Sequence, residues 1–102
     1  MGRYTAGMKT VQITRNCVAL VLPGKEDEAE VLFSFGFVIG AYMPGRGVFV
    51  PENTKYVTTK AHIRKWIGDR DWHREDVDSE KVVAVANELF RLIASHIPPY
   101  TI

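Results

Sequence analysis

The chain has 102 residues, 46% of them hydrophobic and 25% charged, with 13 basic and 12 acidic side chains for a net charge of +1. That length holds one domain and not two, and the charge balance supplies no overall field to draw nucleic acid or an anionic membrane. The single cysteine, Cys17, excludes an intramolecular disulfide and a cysteine-built zinc site. It reads as a small buried apolar residue in a strand. No apolar run nears the ~20 residues of a bilayer-spanning helix. The first eight residues lack the apolar core of a secretion signal, so the expected setting is the cytoplasm. No cofactor is expected.

Residues 1–8 read as a disordered tail and residues 9–102 as one domain. From Lys9 to Arg15 the pattern alternates, with Val11 and Ile13 on one face and Gln12 and Thr14 on the other, the period of a half-buried strand. Cys17 to Leu22 is a continuous apolar run and reads as a more buried second strand, with Asn16 marking a bend or bulge between them. Pro23-Gly24 stops that ladder. The charged stretch 25–30 reads as a loop or one helical turn.

Residues 31–43 are rich in aromatic and β-branched side chains and read as strand. A helix over 26–35, closed by Gly36, is the alternative. On the strand reading, Val31, Phe33, Phe35, Phe37, Ile39 and Ala41 share one face. Gly36 and Gly40 lie on the other, where they admit a bulge or the close approach of a packed element. Pro44-Gly45-Arg46-Gly47 is a turn signal, Val48-Phe49-Val50 completes a hairpin, and residues 55–58 read as a short further strand of an antiparallel meander.

Thr58 or Thr59 is the expected cap of a helix in which Ile63, Trp66 and Ile67 share a face and which Gly68 ends. Residues 69–78 read as a polar linker containing Trp72. Residues 79–96 form the clearest helix, with Ser79 as its cap, Glu80 in its first turn and Pro98-Pro99 forbidding continuation. Val82, Ala86, Leu89 and Ile93 suffice to pack it on a sheet. Val83, Phe90 and Ile97 form a second apolar stripe, the expected interface of a homodimer.

Three constellations have chemistry to weigh. The linker Asp69-Arg70-Asp71-Trp72-His73-Arg74-Glu75-Asp76 offers His73 beside Asp71 or Asp76 as a minimal acid/base site, though adjacent residues of one loop seldom converge on a metal or substrate. His62, His73 and His96 share no metal-ligand spacing. Lys60, Arg64, Lys65, Arg70 and Arg74 interleave with Trp66 and Trp72, as cations and rings do in nucleic-acid binders, but neighbouring carboxylates neutralise much of that patch.

Two stretches carry a resemblance. Phe33-Ser34-Phe35-Gly36-Phe37-Val38 is similar to a Phe-Ser-Tyr-x-Thr strand. Thr58-Thr59-Lys60-Ala61-His62-Ile63-Arg64-Lys65-Trp66 is similar to a Thr-Thr-Ser-x-His-Ile-Asn-Lys-Trp junction. Together, over residues 31–67, they resemble a family of small uncharacterised phage and mobile-element proteins. Phe35 stands where the pattern has tyrosine, Phe37 where it has threonine and Arg64 where it has asparagine. The resemblance implies a strand over 31–43 and a helix starting at Thr59, and it implies no activity.

The expected fold is α+β, an antiparallel sheet of about five strands with two helices, the C-terminal one across a face. The expected function is that of a non-enzymatic accessory protein of a mobile element, acting through protein–protein contact as a homodimer. A nucleic-acid-binding module on the basic helix 60–67 is the alternative, and a small enzyme centred on His73 is the third reading.

Overall fold

The computed structural model describes residues 8–23 and 27–94, without the side chains of residues 93 and 94. The expected tail lies outside the described residues except for Met8, which is half-buried against the core. In chain order the elements are β1 (Lys9–Thr14), β2 (Cys17–Leu22), β3 (Ala29–Ser34), β4 (Phe37–Met43), β5 (Gly47–Pro51), α1 (Val57–Ile67), β6 (Arg74–Val77) and α2 (Ser79–Ala94). All six strands form one sheet in sequence order. β1 to β5 pair antiparallel as a meander, and β6 pairs parallel with β5.

The α+β class holds. The sheet is mostly antiparallel with the C-terminal helix on one face, as expected, and it has six strands, the last of them parallel to its neighbour. A parallel neighbour needs a crossover, and α1 is that crossover. The segment read as a polar linker contains β6, whose Arg74, Glu75 and Asp76 are exposed because the strand lies at the sheet edge.

Two further expectations are corrected. Residues 31–43 are not one strand but two, separated by a two-residue turn at Phe35-Gly36. Both central residues have positive φ, 52° and 84°, the signature of the hairpin turn whose twist matches its flanking strands. The helix alternative for 26–35 is excluded by β3. Residues 55–58 form no strand, since helix α1 already begins at Val57 and its N-cap, Tyr56, makes no side-chain cap hydrogen bond. Neither threonine caps it. Gly68 ends the helix as expected, at φ 57°, with its N–H donating to the Arg64 carbonyl. α2 is capped not by Ser79 but by Asp78, whose carboxylate accepts the Glu80 N–H at 3.3 Å.

The helices lie on opposite faces. On one, Val82, Val85, Ala86 and Leu89 of α2 pack on Leu22, Val31, Ala41, Met43 and Phe49. On the other, Ile63 and Trp66 of α1 pack on Cys17, Ala19, Leu32, Ile39, Tyr42, Val48 and Val50. Strands covered on both faces are apolar at successive positions, which explains the apolar runs of β2 and β5 and of Val31-Leu32-Phe33 in β3. The β3–β4 register slips by one residue between Leu32, opposite Gly40, and Phe33, opposite Val38. This bulge leaves Ile39 unpaired and turns Gly40 toward α1. There the Trp66 ring lies against the bare backbone, and a Cβ on residue 40 would sit 2.5 Å from Trp66 Cζ3. The glycine thus answers the close approach that its position had suggested.

Gly40→Ala should destabilise the protein by about 1–3 kcal/mol, the usual cost of overpacking a filled site. Urea unfolding monitored by tryptophan fluorescence measures it. An unchanged midpoint would mean that α1 can slide off the sheet without loss.

Candidate functional site

The β3–β4 turn and the 51–59 loop enclose a groove of about 750 Å³ at one end of the sheet. Its apolar walls are Phe35, Phe37, Val38, Ile39, Pro51 and Tyr56. Thr58 and Thr59 of α1 and Asp78 and Ser79 at the start of α2 complete it. Three of the wall rings stand largely in water, with Phe35 59%, Phe37 74% and Tyr56 72% exposed. Val57, beside Tyr56, is exposed as well. A single exposed ring is ordinary, but several gathered around one concavity on a small chain mark a binding surface.

Local backbone physics makes this site costly to keep. Phe35 is the only described non-glycine residue with positive φ. A side chain in that left-handed region costs roughly 1–2 kcal/mol, which asparagine or glycine largely avoids. The ring gains little burial in return. Strain of this kind persists where the surroundings over-determine it and where function uses the displayed side chain.

Beneath the groove lies His62, buried on α1. Its Nδ1 is 2.7 Å from Ser34 Oγ on β3 and its Nε2 is 3.2 Å from Thr14 Oγ1 on β1. A neutral imidazole donates from one nitrogen and accepts at the other, and a hydroxyl does either, so the chain of groups is satisfied throughout. The two resembling stretches therefore meet in space, since Ser34 belongs to the first and His62 to the second. The pair has the spacing of a nucleophile and its base. However, the third group is a hydroxyl instead of a carboxylate, and the amide following Ser34 is spent, since Phe35 N–H donates to the Asn16 carbonyl at 2.8 Å. A serine nucleophile needs an oriented base and free oxyanion donors. The arrangement here is a brace tying β1, β3 and α1.

The first turn of α1 opens on the same groove through Thr58 and Thr59. It has no side-chain cap and no acidic residue, and only the Lys60 N–H is returned to a backbone carbonyl, that of Tyr56 at 3.1 Å. Helix N-termini leave their first N–H groups without intrahelical partners. The rim charges are Glu52, Lys55 and Asp78, so the groove is faintly acidic.

On the same face of the sheet, Glu30 anchors a separate cluster. Its Oε1 accepts from Trp66 Nε1 at 2.8 Å and its Oε2 from Arg70 at 2.9 Å. The Arg70 guanidinium lies 4.3 Å from the Trp72 ring centroid, and Trp72 stacks on Tyr42 at 4.1 Å. The Tyr42 hydroxyl donates to Asp27 at 3.1 Å. Burial first, then that bond and the negative charges of Asp27 and Glu30, raise the phenol above its ordinary pKa. Burial likewise raises the Cys17 thiol, which keeps it protonated and a poor nucleophile.

The residues singled out in the sequence scatter over the surface. Lys60, Arg64 and Arg74 line one cleft of about 230 Å³, but Glu52 and Asp76 line it too, and Arg74 is paired with Asp76 at 2.9 Å. Lys65 is exposed, and Arg70 is committed to Glu30 and Trp72. His73 is exposed and meets Glu75 at 3.0 Å, not Asp71 or Asp76. No cluster of three potential metal ligands occurs among the described residues. In the α2 stripe, Val83 is exposed and Phe90 is half-buried against the core, while Ile97 lies outside the described residues. The site residues not foreseen are Phe35, Phe37 and Tyr56. For the two phenylalanines the signal was the aromatic excess around Gly36, which a single long strand does not require; Tyr56 offered none.

Compared with protein-family models, with curated proteins and with solved structures, the chain matches none.

Phe35→Asn should raise stability by about 1 kcal/mol by relieving the left-handed backbone, read as a higher urea midpoint. His62→Ala should lower it by about 2–3 kcal/mol by stranding the buried Ser34 hydroxyl. A stable His62→Ala variant would show that the brace is dispensable.

Proposed function

We propose that this chain is a non-enzymatic protein-contact module that self-associates as a homodimer through the aromatic groove. The observation that carries this reading is the gathering of Phe35, Phe37 and Tyr56, each more than half exposed, around one concavity. The reading moves the docking surface from the α2 stripe to the hairpin end of the sheet. The mobile-element setting stays part of the proposal and rests on the resemblance over residues 31–67 alone.

Charge favours a polypeptide over a nucleic acid. Phosphate backbones are held by uncompensated cations, and the groove has Glu52 and Asp78 against Lys55. A second copy suits the rim, because a two-fold axis that set the Lys55 of one copy against the Glu52 of the other would make that pair twice. Energy favours it as well. Six rings withdrawn from water in a symmetric pair contribute on the order of 10 kcal/mol before costs. That is comparable with the roughly 4–15 kcal/mol lost in freezing relative motion, so the rings offset most of that loss and the rest of the interface sets the affinity.

Light scattering at tens of micromolar should return the mass of a dimer. Phe37→Ser should weaken the dimer at least ten-fold without lowering the unfolding midpoint, since that ring contributes little to the monomer core. A wild-type chain that stays monomeric at several hundred micromolar overturns the homodimer.

A further inference from the structure

We infer that the outer edge of β1 pairs with an extended segment of a different protein, one that has an acidic residue at each end. The six-stranded sheet has two edges, and the sequence treats them differently. β6 is four residues long, and each of its charged side chains has a partner, Arg74 with Asp76 and Glu75 with His73. Short length and charge are the devices that keep an edge from recruiting a further strand. β1 is six residues long, and its only charged side chain is Lys9 at its start. Lys9, Thr10, Val11 and Gln12 are exposed, and Val11 is 41% accessible although Ala19 opposite it is buried. An edge strand presents a row of unpaired N–H and C=O groups. At the far end of β1 the Gln12 side-chain amide donates to the Thr14 and Arg15 carbonyls, which leaves residues 9–13 as the open stretch.

Charge selects the occupant. Lys9 stands at one end of the strand and Arg15 just past the other, about 20 Å apart at ~3.4 Å per residue. Both are exposed, and neither has an ion-pair partner among the described residues. No acidic residue lies between them. A second β1 is disfavoured, because like charges directly opposite one another are destabilising. An antiparallel pair centred on Gln12 sets Lys9 against Arg15 twice, and a parallel pair in register sets each cation against itself. A second β6 brings carboxylates already engaged with Arg74 and His73. Residues 1–7 and 95–102 hold no acidic side chain, so the ends of this chain, its own or a second copy's, cannot supply the two anions. They come from a different polypeptide. One carboxylate at each end of a strand of about seven residues meets both cations, and an apolar residue between them covers Val11, since alternate positions along a strand share a face. This surface is separate from the groove and goes beyond the self-association proposed there.

The full-length chain tests this with a synthetic peptide, acetyl-Glu-Thr-Val-Thr-Val-Thr-Glu-amide, as the probe. Titrating the peptide should shift the backbone amide resonances of residues 9–13 and leave those of residues 35–37 in place. Binding should weaken at least ten-fold when both glutamates of the peptide are replaced by lysine. It should be lost when the alternate peptide nitrogens on the pairing side are methylated, which removes ladder hydrogen bonds and keeps the charge. The double substitution Lys9→Glu with Arg15→Glu, at two exposed positions, should invert the preference, so that the lysine peptide binds and the glutamate peptide does not. Resonances of residues 9–13 that stay fixed, a methylated peptide that binds equally well, or a preference that does not invert overturns the inference. Resonances of residues 9–13 that move with protein concentration alone overturn it too, because the occupant is then a second copy. None of these outcomes bears on the groove, whose dimer is read through Phe37→Ser.

Discussion

Trp66 can press its ring against the sheet because residue 40 has no side chain. The rest of the architecture depends on that contact. It holds α1 against β4, and α1 is the crossover that delivers β6 to the far side of β5. The same indole donates to Glu30, so the ring is fixed in direction as well as in depth. One helical turn earlier on the same helix, His62 braces β1 and β3. The start of α1, with Thr58 and Thr59, is thereby held against the β3–β4 turn, and the groove exists because those two pieces face one another. A packing constraint in the middle of the sheet sets the shape of a surface at its end.

The groove itself works against stability. A phenylalanine occupies a turn position that asparagine or glycine would fill at less cost, and three rings that could be buried are displayed. A sequence shaped only for folding would remove both features. They occur together at a concavity with apolar walls. Among the described residues no buried side-chain nitrogen or oxygen lacks a hydrogen-bond partner. The local cost is therefore confined to apolar display and backbone strain, the two kinds that a docking partner can repay by covering the rings.

Much of the fold was legible because its signals are local. The 3.6-residue period of Val82, Val85, Ala86 and Leu89 gives α2, the Pro44–Gly47 turn gives the β4–β5 hairpin, and Gly68 ends α1 where expected. The failures share a cause. Phe35-Gly36 is a turn lacking the residues that announce one, so two strands read as one. Val57 and Thr58 are β-branched and read as strand, but packing of Ile63 and Trp66 on the sheet draws them into a helix. β6 is a charged edge strand with little apolar alternation, and only its partner β5 defines it. The groove was the least legible part. Its walls come from β3–β4, the 51–59 loop and the start of α2, and no spacing along the chain brings those together. The brace between Ser34 and His62, 28 residues apart, was invisible for the same reason, although both residues had been marked within the resembling stretches.

The one parallel pairing has a kinetic corollary. Each pairing from β1 to β5 joins neighbours across a short connection and can form early by local zipping. β6 has no such route. It must wait until residues 52–73 have wound into α1 and docked, because loop closure has to precede the ladder that rewards it. The last strand to assemble is also the shortest and the most polar, with hydrogen bonds to β5 on one side only. It is therefore the natural starting point for unravelling. Its loss would loosen the start of α2, which follows after a single residue, and through Asp78 and Ser79 would open one wall of the groove while the rest of α2 stays packed on the meander.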